Sequence, residues 1–347
     1  MFNFLYKLIK SKFNLKNSIY KLNIAATRSC NSKCLTCYIW KDSDSPVPDL
    51  TLDDFISLFK KNKIFWVSLT GGEPFFREDL YEIANAAIKY SGTKILNIAT
   101  NGILTTKITA DTRNILLTHG SKLLKMAVTV SLDGTAEVNN HIKGAASFDQ
   151  ALKTFFALRE LEQEFKNFKV YISTNISKYN IDNIPLFLAF CAKNNILTTD
   201  VHLTFTRLSS YYSNELATDL LSVNQEYNFK LNKIIDSFIQ QKKHNVIDLF
   251  ERIYLRLYKN YIETLKCPLN CKSGIASLFI NNNGDILPCL YFNQKLGNII
   301  DLNYNLEKLQ DTKYFTEVRA LISQKKCPNC WIACEAFQTI LSNFRFY

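Results

Sequence analysis

The amino-acid sequence predicts an α/β fold: an open, partial (β/α)6 barrel with a small cysteine-rich module at its C-terminal end. Three observations predict it. Between Leu22 and Arg207, short β-branched or aromatic runs alternate with helical stretches, the pattern of a parallel sheet built from βα units. Polar and glycine-containing motifs follow directly after these runs, where a βα barrel assembles its site. Six of the ten cysteines fall after residue 266, which marks the tail as a separate metal-stabilised module. Six units are fewer than the eight of a closed barrel, so the sheet stays open.

Taken in order, the first 21 residues carry Lys7, Lys10, Lys12, Lys16 and Lys21 with no acidic residue, and Phe2, Leu5, Leu8, Ile9 and Phe13 recur at roughly helical spacing. The segment reads as a basic amphipathic helix that packs its apolar stripe on the domain; peripheral membrane contact is the alternative. Six strands follow, over 22–27, 64–70, 94–100, 125–131, 169–175 and 199–206, each a mostly apolar run with few charges. Helical patterns begin at Thr51, an N-cap with Asp54 three residues on, and cover 78–90, 109–119, 148–165 and 182–194. Residues 208–266 hold two long helical patterns, 227–241 and 246–265, and read as a helical connector. In the tail, Asn281-Asn282-Asn283-Gly284-Asp285 is a hairpin signal between two apolar runs. The expected organisation is a basic segment over 1–21, a barrel over 22–207, the connector over 208–266 and the cysteine-rich module over 267–347.

At 347 residues, 47% apolar and 13% aromatic, the chain fills a sizeable core, which excludes dominant disorder. Its cysteines are clustered rather than evenly spaced, so they point to metal and not to a disulfide scaffold. There is no signal-peptide h-region and no stretch near the roughly 20 apolar residues of a membrane span, so the cytoplasm is the expected compartment. The net charge of +11 is compatible with nucleic acid or membrane, but nearly half of it sits in the first 21 residues.

The first strand runs into Thr27-Arg28-Ser29-Cys30 and continues to Cys34, Cys37 and Tyr38. Three thiolates in a flexible loop can close on one inorganic core, and a four-iron cluster held by three cysteines leaves one iron open to a substrate or cofactor. Zinc is the alternative that Cys-x3-Cys-x2-Cys alone leaves open. The second strand ends in Thr70-Gly71-Gly72-Glu73-Pro74. Two adjacent glycines remove the side chains that would keep a ligand off the backbone, and Glu73 can accept hydrogen bonds from a cationic amine. Cys191, inside the apolar helical run 186–192, reads as a small core residue.

These residues resemble the radical S-adenosylmethionine (SAM) superfamily. Its hallmark is Cys-x3-Cys-x2-Cys followed by an aromatic, here Tyr38, with Gly-Gly-Glu at the end of the next strand. The resemblance continues through Ala99-Thr100-Asn101-Gly102, Ser131-Leu132-Asp133-Gly134 and Asn175. It implies a TIM-like partial barrel, a SAM-binding 4Fe-4S cluster on Cys30, Cys34 and Cys37, and SAM held by Tyr38, Gly71, Gly72, Glu73, Asn101, Ser131, Asp133, Lys143 and Asn175. It also implies reductive cleavage of SAM to a 5′-deoxyadenosyl radical that takes hydrogen from a substrate. The electron would come from a flavodoxin- or ferredoxin-type donor, and no specific nucleic acid is involved. One departure stands out: the family's Ile-Arg-Gly is here Ile142-Lys143-Gly144, which keeps the charge but loses the bidentate fork. No acid–base dyad is needed for this chemistry, so His119, His141 and His202 read as structural or solvent-facing and no catalytic residue is assigned.

The tail resembles the SPASM or twitch extension of such enzymes: Cys271, then Gly284-x4-Cys289, then Cys327-x2-Cys330. The resemblance implies one auxiliary 4Fe-4S cluster on Cys271, Cys289, Cys327 and Cys330, with Cys267 and Cys334 as alternates; a structural zinc ribbon has similar spacings. The extension resembles that of peptide-maturing enzymes, so the expected substrate is a peptide or protein. A small metabolite such as a sugar or alcohol is the second reading. A non-enzymatic zinc protein that binds RNA or membrane through its basic N-terminus is the reading from another class.

Overall fold

The computed structural model describes residues 2–42, 47–221, 224–242 and 245–343. Residue 1 of the N-terminal segment, 222–223 and 243–244 of the connector, and 344–347 of the tail lie outside the described residues. Six strands, β1 (Lys21–Thr27), β2 (Trp66–Gly71), β3 (Ile95–Thr100), β4 (Lys125–Ser131), β5 (Phe168–Ile176) and β6 (Val201–Phe205), pair in parallel in sequence order, each within two residues of its sequence-predicted limits. Along β2, β3 and β4, buried residues alternate with half-buried ones. Val67, Leu69, Leu96, Ile98, Met126, Val128 and Val130 face the surrounding helices, while Ser68, Asn97 and Thr129 face the inside of the barrel.

The helices around the sheet are α2 (Leu52–Lys61), α3 (Leu80–Ala86), α4 (Thr105–His119), α5 (Ala136–Lys143), α6 (Phe148–Glu164) and α7 (Ile184–Lys193), preceded by α1 (Phe2–Lys12). The Thr51 cap forms as expected, since Asp54 N–H donates to Thr51 Oγ1 and Thr51 N–H to Asp54 Oδ2 at 2.8 Å. Helix α5 has no counterpart in the sequence prediction, because its eight residues hold only Val138 and Ile142 as large apolar positions. In the connector, α9 (Val246–Thr264) packs onto β6, with the Tyr258 ring stacked on Phe205 at 3.5 Å, and α8 (Gln225–Gln241) packs against α9. His202 bonds Glu251 at 2.9 Å, and Lys242 pairs with the same carboxylate at 2.6 Å, so this histidine is structural.

Two expectations are corrected. The tail is not a spatially separate module: β7 (Ser277–Ile280) pairs in parallel with β1, and β8 (Asp285–Leu287) and β9 (Gly297–Asn298) continue antiparallel, giving one nine-stranded sheet. The open edge of a partial barrel exposes unpaired backbone groups on β1, and the tail satisfies them. Helices α10 (Lys313–Ser323) and α11 (Ala333–Asn343) complete this region. The second correction concerns α1, whose predicted apolar stripe does not pack on the domain. Only Leu8 of that stripe is buried, whereas Phe2, Leu5, Ile9 and Phe13 are exposed. Helix α1 docks instead through Phe4, stacked on Phe65 at 3.9 Å, and through Ser11, whose hydroxyl donates to Ser342 Oγ at 2.8 Å.

Phe155 of α6 is fully buried in the helix-side core. Phe155→Ala is expected to lower the unfolding free energy by about 3–5 kcal/mol, measured by urea denaturation.

Candidate functional site

The site is built where the parallel strands end. Past Thr27 the β1–β2 ladder continues: Gly72 N–H donates to Thr27 O at 2.7 Å and Glu73 N–H to Ser29 O at 2.8 Å. A Cβ on Gly72 would lie 2.1 Å from Ser29 O and 2.6 Å from Arg28 O. In this structure the glycine therefore admits the cysteine-bearing segment itself, a requirement that differs from the room for a ligand expected from sequence. Gly144, at φ +60°, does the same from α5: its Cβ would meet Lys33 O at 2.6 Å, and Lys33 N–H and Leu35 N–H donate to Lys143 O and Ile142 O at 2.9 and 2.8 Å. Asn101, at the end of β3, donates to Asn31 Oδ1 at 2.6 Å and to Ser32 Oγ at 3.2 Å, with its Nδ2 4.0 Å from Cys30 Sγ. From the far side, Asn214 donates to Thr36 O at 2.8 Å and Tyr38 N–H to Tyr212 O at 2.8 Å. The loop carrying Cys30, Cys34 and Cys37 is thus fastened on four sides.

The remaining sequence-predicted residues form one network beside it. Lys143 Nζ pairs with Asp133 Oδ2 at 2.6 Å and donates to Ser131 Oγ at 2.6 Å, while Asp133 Oδ1 accepts from Asn175 N–H at 2.8 Å. Lys143 and Asp133 are both buried, so each charge depends on the other. The lysine that replaces the family's arginine is engaged within the protein. Glu73 is fully buried and accepts from Thr100 Oγ1 at 2.8 Å, Phe75 N–H at 3.1 Å and Asn101 N–H at 2.7 Å. A carboxylate has about four acceptor positions, which leaves one for an incoming donor. Burial raises its pKa to about 7 against these hydrogen bonds.

Burial likewise pushes the Cys30 thiol up to about 11 and Cys37 to about 12, each raised further by neighbouring cysteine charge, and raises Cys34 against the opposing charge of Lys143. Three half-buried thiols within reach of one another's charge are a donor set that an electrophilic iron core would bring to the thiolate form. Among the described residues, no three His, Cys, Asp or Glu side chains converge on a point close enough to hold a single metal ion. Cysteine sulfurs are the ligands an iron-sulfur cluster takes, and three on one loop match that chemistry.

In the tail, Cys267, Cys271, Cys289, Cys327 and Cys330 line one cavity. Cys334, on the first turn of α11, is outside that lining but close enough for its charge to raise Cys330. Lys21 of β1 holds it there, donating to Cys334 O at 2.6 Å. Between the two cysteine groups lie Tyr212 and Tyr291, with ring centroids 6.2 Å apart. After burial, the charges of Cys334 and Cys37, one from each cysteine group, raise Tyr212. Tyr212, Asn214 and Thr100 were missed from sequence. Thr100 sits in the motif beside Asn101, but the other two follow β6 in a stretch without a recognisable pattern.

Comparison with known proteins agrees with this geometry. Residues 24–191 match the Radical SAM superfamily, and residues 271–335 match an iron-sulfur cluster-binding domain, SPASM. Residues 24–191 are a radical SAM domain. With the SPASM match, it makes SAM and 4Fe-4S clusters the cofactors these two domains take, and the zinc reading is set aside. Mycofactocin maturase MftC of Mycolicibacterium smegmatis is 30% identical over 172 residues, 48% of this chain and 40% of that protein, so the match spans less than half of the maturase. The AdoMet-dependent heme synthase of Oleidesulfovibrio alaskensis is 24% identical over 323 residues, 88% of this chain and 78% of that protein. Among solved structures, Streptococcus suis SuiB (TM-score 0.58, 19% identity, 87% of this chain and 68% of that one) shares the fold. So does anSMEcpe with bound AdoMet and Cp18Cys peptide (0.59, 16%, 92% and 87%). Among the described residues no helix is long and apolar enough to cross a membrane.

Two outcomes are expected. Gly72→Ala, which drives a Cβ into the Ser29 carbonyl, lowers stability by about 1–3 kcal/mol and reduces iron uptake, read by thermal melting and iron assay. In metal-free protein, Glu73 binds its proton more tightly folded than unfolded, so its contribution is full below pH 4.5 and is lost as pH rises through about 7. Urea titrations across that window should show the parent losing up to about 3 kcal/mol relative to Glu73→Gln.

Proposed function

We propose that this enzyme modifies a peptide or protein, with Cys30, Cys34 and Cys37 holding the SAM-binding cluster and Cys271, Cys289, Cys327 and Cys330 a single auxiliary one. Held by Cys30, Cys34 and Cys37, such a cluster would supply the electron for reductive cleavage of SAM and so the radical chemistry on the substrate. The chain's own residues hold and orient. Asn101 and the Gly72–Glu73 backbone keep Cys30 in place, and the acceptor position left on Glu73 suits the amine of SAM. Asp133, braced by Lys143, fixes the backbone of Asn175, and Tyr38, Gly71 and Ser131 complete the wall. Tyr212 and Tyr291 keep water from the space between the two cysteine groups.

The observation that carries the peptide reading is the inner face of the barrel. Ser68, Asn97, Thr129 and Ser173 project there, half-buried, a row of hydrogen-bonding groups matched to the amides of an extended chain. Arg207, just past β6, adds a cation with no carboxylate within ion-pair distance among the described residues, its guanidinium 4.4 Å from the Tyr261 ring. It is suited to a carbonyl or carboxylate of such a chain. The maturase and the peptide-bound anSMEcpe support the same reading. A small-molecule substrate is the second reading, favoured because the heme synthase matches most of the chain while the maturase matches about half.

Anaerobically reconstituted protein with reductant and SAM should yield 5′-deoxyadenosine, and Cys30→Ala/Cys34→Ala/Cys37→Ala should yield none. The triple variant should retain roughly four of roughly eight irons. A candidate peptide recovered with altered mass supports the proposal; turnover of small molecules with no peptide product refutes the peptide reading.

A further inference from the structure

Helix α1 takes no part in the site, yet its outer face is a continuous apolar stripe. At about 100° per residue, Phe2, Leu5, Tyr6, Ile9 and Phe13 fall within an arc of roughly 100°, and they are exposed, Phe2 by 91%, Ile9 by 57% and Phe13 by 65%. On the same helical wheel Lys10 and Lys12 flank the stripe on its two sides, and Lys16 follows the helix. The opposite face is already committed to the domain. Phe4 stacks on Phe65, Leu8 is buried, Ser11 bonds Ser342, and Lys7 Nζ donates to Ile19 O at 2.8 Å and Lys63 O at 2.6 Å. The helix cannot turn its stripe inward without breaking these contacts.

We infer that this face is a contact surface for an anionic lipid membrane. Helix α1 lies in the plane of the interface, its stripe among the acyl chains and the lysines that flank it, Lys10 foremost, at the level of the phosphates. Charge selects this occupant. Residues 1–21 contain five lysines and no acid. Of the nearby carboxylates, Asp311 is paired with Lys16 at 2.7 Å and Glu307 lies beside Lys7. A second copy of the chain would set two lysine-flanked stripes against each other, whereas anionic headgroups neutralise them. With no membrane-crossing helix among the described residues, the attachment is peripheral and reversible, and it is independent of the radical chemistry.

The test is co-sedimentation of the full-length reconstituted enzyme with phosphatidylcholine vesicles, with and without phosphatidylglycerol. Binding is expected only to the anionic vesicles and should weaken with added salt. Leu5→Glu/Ile9→Glu and Lys10→Glu/Lys12→Glu should each lower the bound fraction at least about tenfold. Leu5 and Ile9 lie off the docking face, so Leu5→Glu/Ile9→Glu should keep the parent's melting temperature. Equal binding to neutral and anionic vesicles would overturn the inference. So would parent-level binding by Leu5→Glu/Ile9→Glu, or self-association in sedimentation that the variant abolishes while no vesicle is bound.

Discussion

The candidate site depends on two backbone hydrogen bonds that carry the β1–β2 ladder past the end of the sheet. Gly72 and Glu73 donate to Thr27 and Ser29, and the residue after Ser29 is Cys30. A parallel ladder that continues for two more residues sets the height and direction at which the chain leaves β1, and the cysteine loop inherits both. Because the approach brings Gly72 against the Arg28 and Ser29 carbonyls, it excludes every side chain at that position. The Asn101 bonds from β3 and the Gly144 contact from α5 then hold a loop already aimed, and neither would serve had it left β1 in another direction.

Much of this was legible in the sequence, since it rests on local rules. Apolar runs bounded by Gly, Asn and Asp mark the strands, and cysteine spacing marks the loop. Chemistry at strand ends is a property of parallel βα architecture. What was not legible depends on partners distant in sequence. The two glycines read as room for a ligand because nothing local says that the Ser29 carbonyl would fill that room. Lys143 read as a ligand contact, yet its burial beside Asp133 is settled by where α5 packs, and α5 itself carries too little periodicity to be recognised. The stripe of α1 has the spacing of a packed face. Which face packs, however, was decided by Phe65, Tyr20 and Ser342, residues just before β2, just before β1 and in α11 that no helical wheel of α1 includes.

The tail illustrates the same division. Its cysteines announced a metal-binding region, but not that β7 would take the free edge of β1. That pairing puts both cysteine groups on one sheet. Lys21 and Asn23 of β1 reach Cys334 and Glu335 at the start of α11, while the far end of β1 delivers Cys30. The spacing between the two groups is therefore set by one strand and the layer packed on it, and Tyr212 and Tyr291 fill the gap. A shared strand is a stiffer spacer than a linker between domains would be.

The central claim is that this strand-end geometry presents three thiols to a cluster with one iron left open to SAM. Low-temperature electron paramagnetic resonance of the reduced Cys271→Ala/Cys289→Ala variant, with and without SAM, tests it most directly, because the auxiliary signal is removed. The account predicts a 4Fe-4S signal whose g values shift when SAM is added. A signal unchanged by SAM, or none at all with zinc retained in the protein, would contradict it.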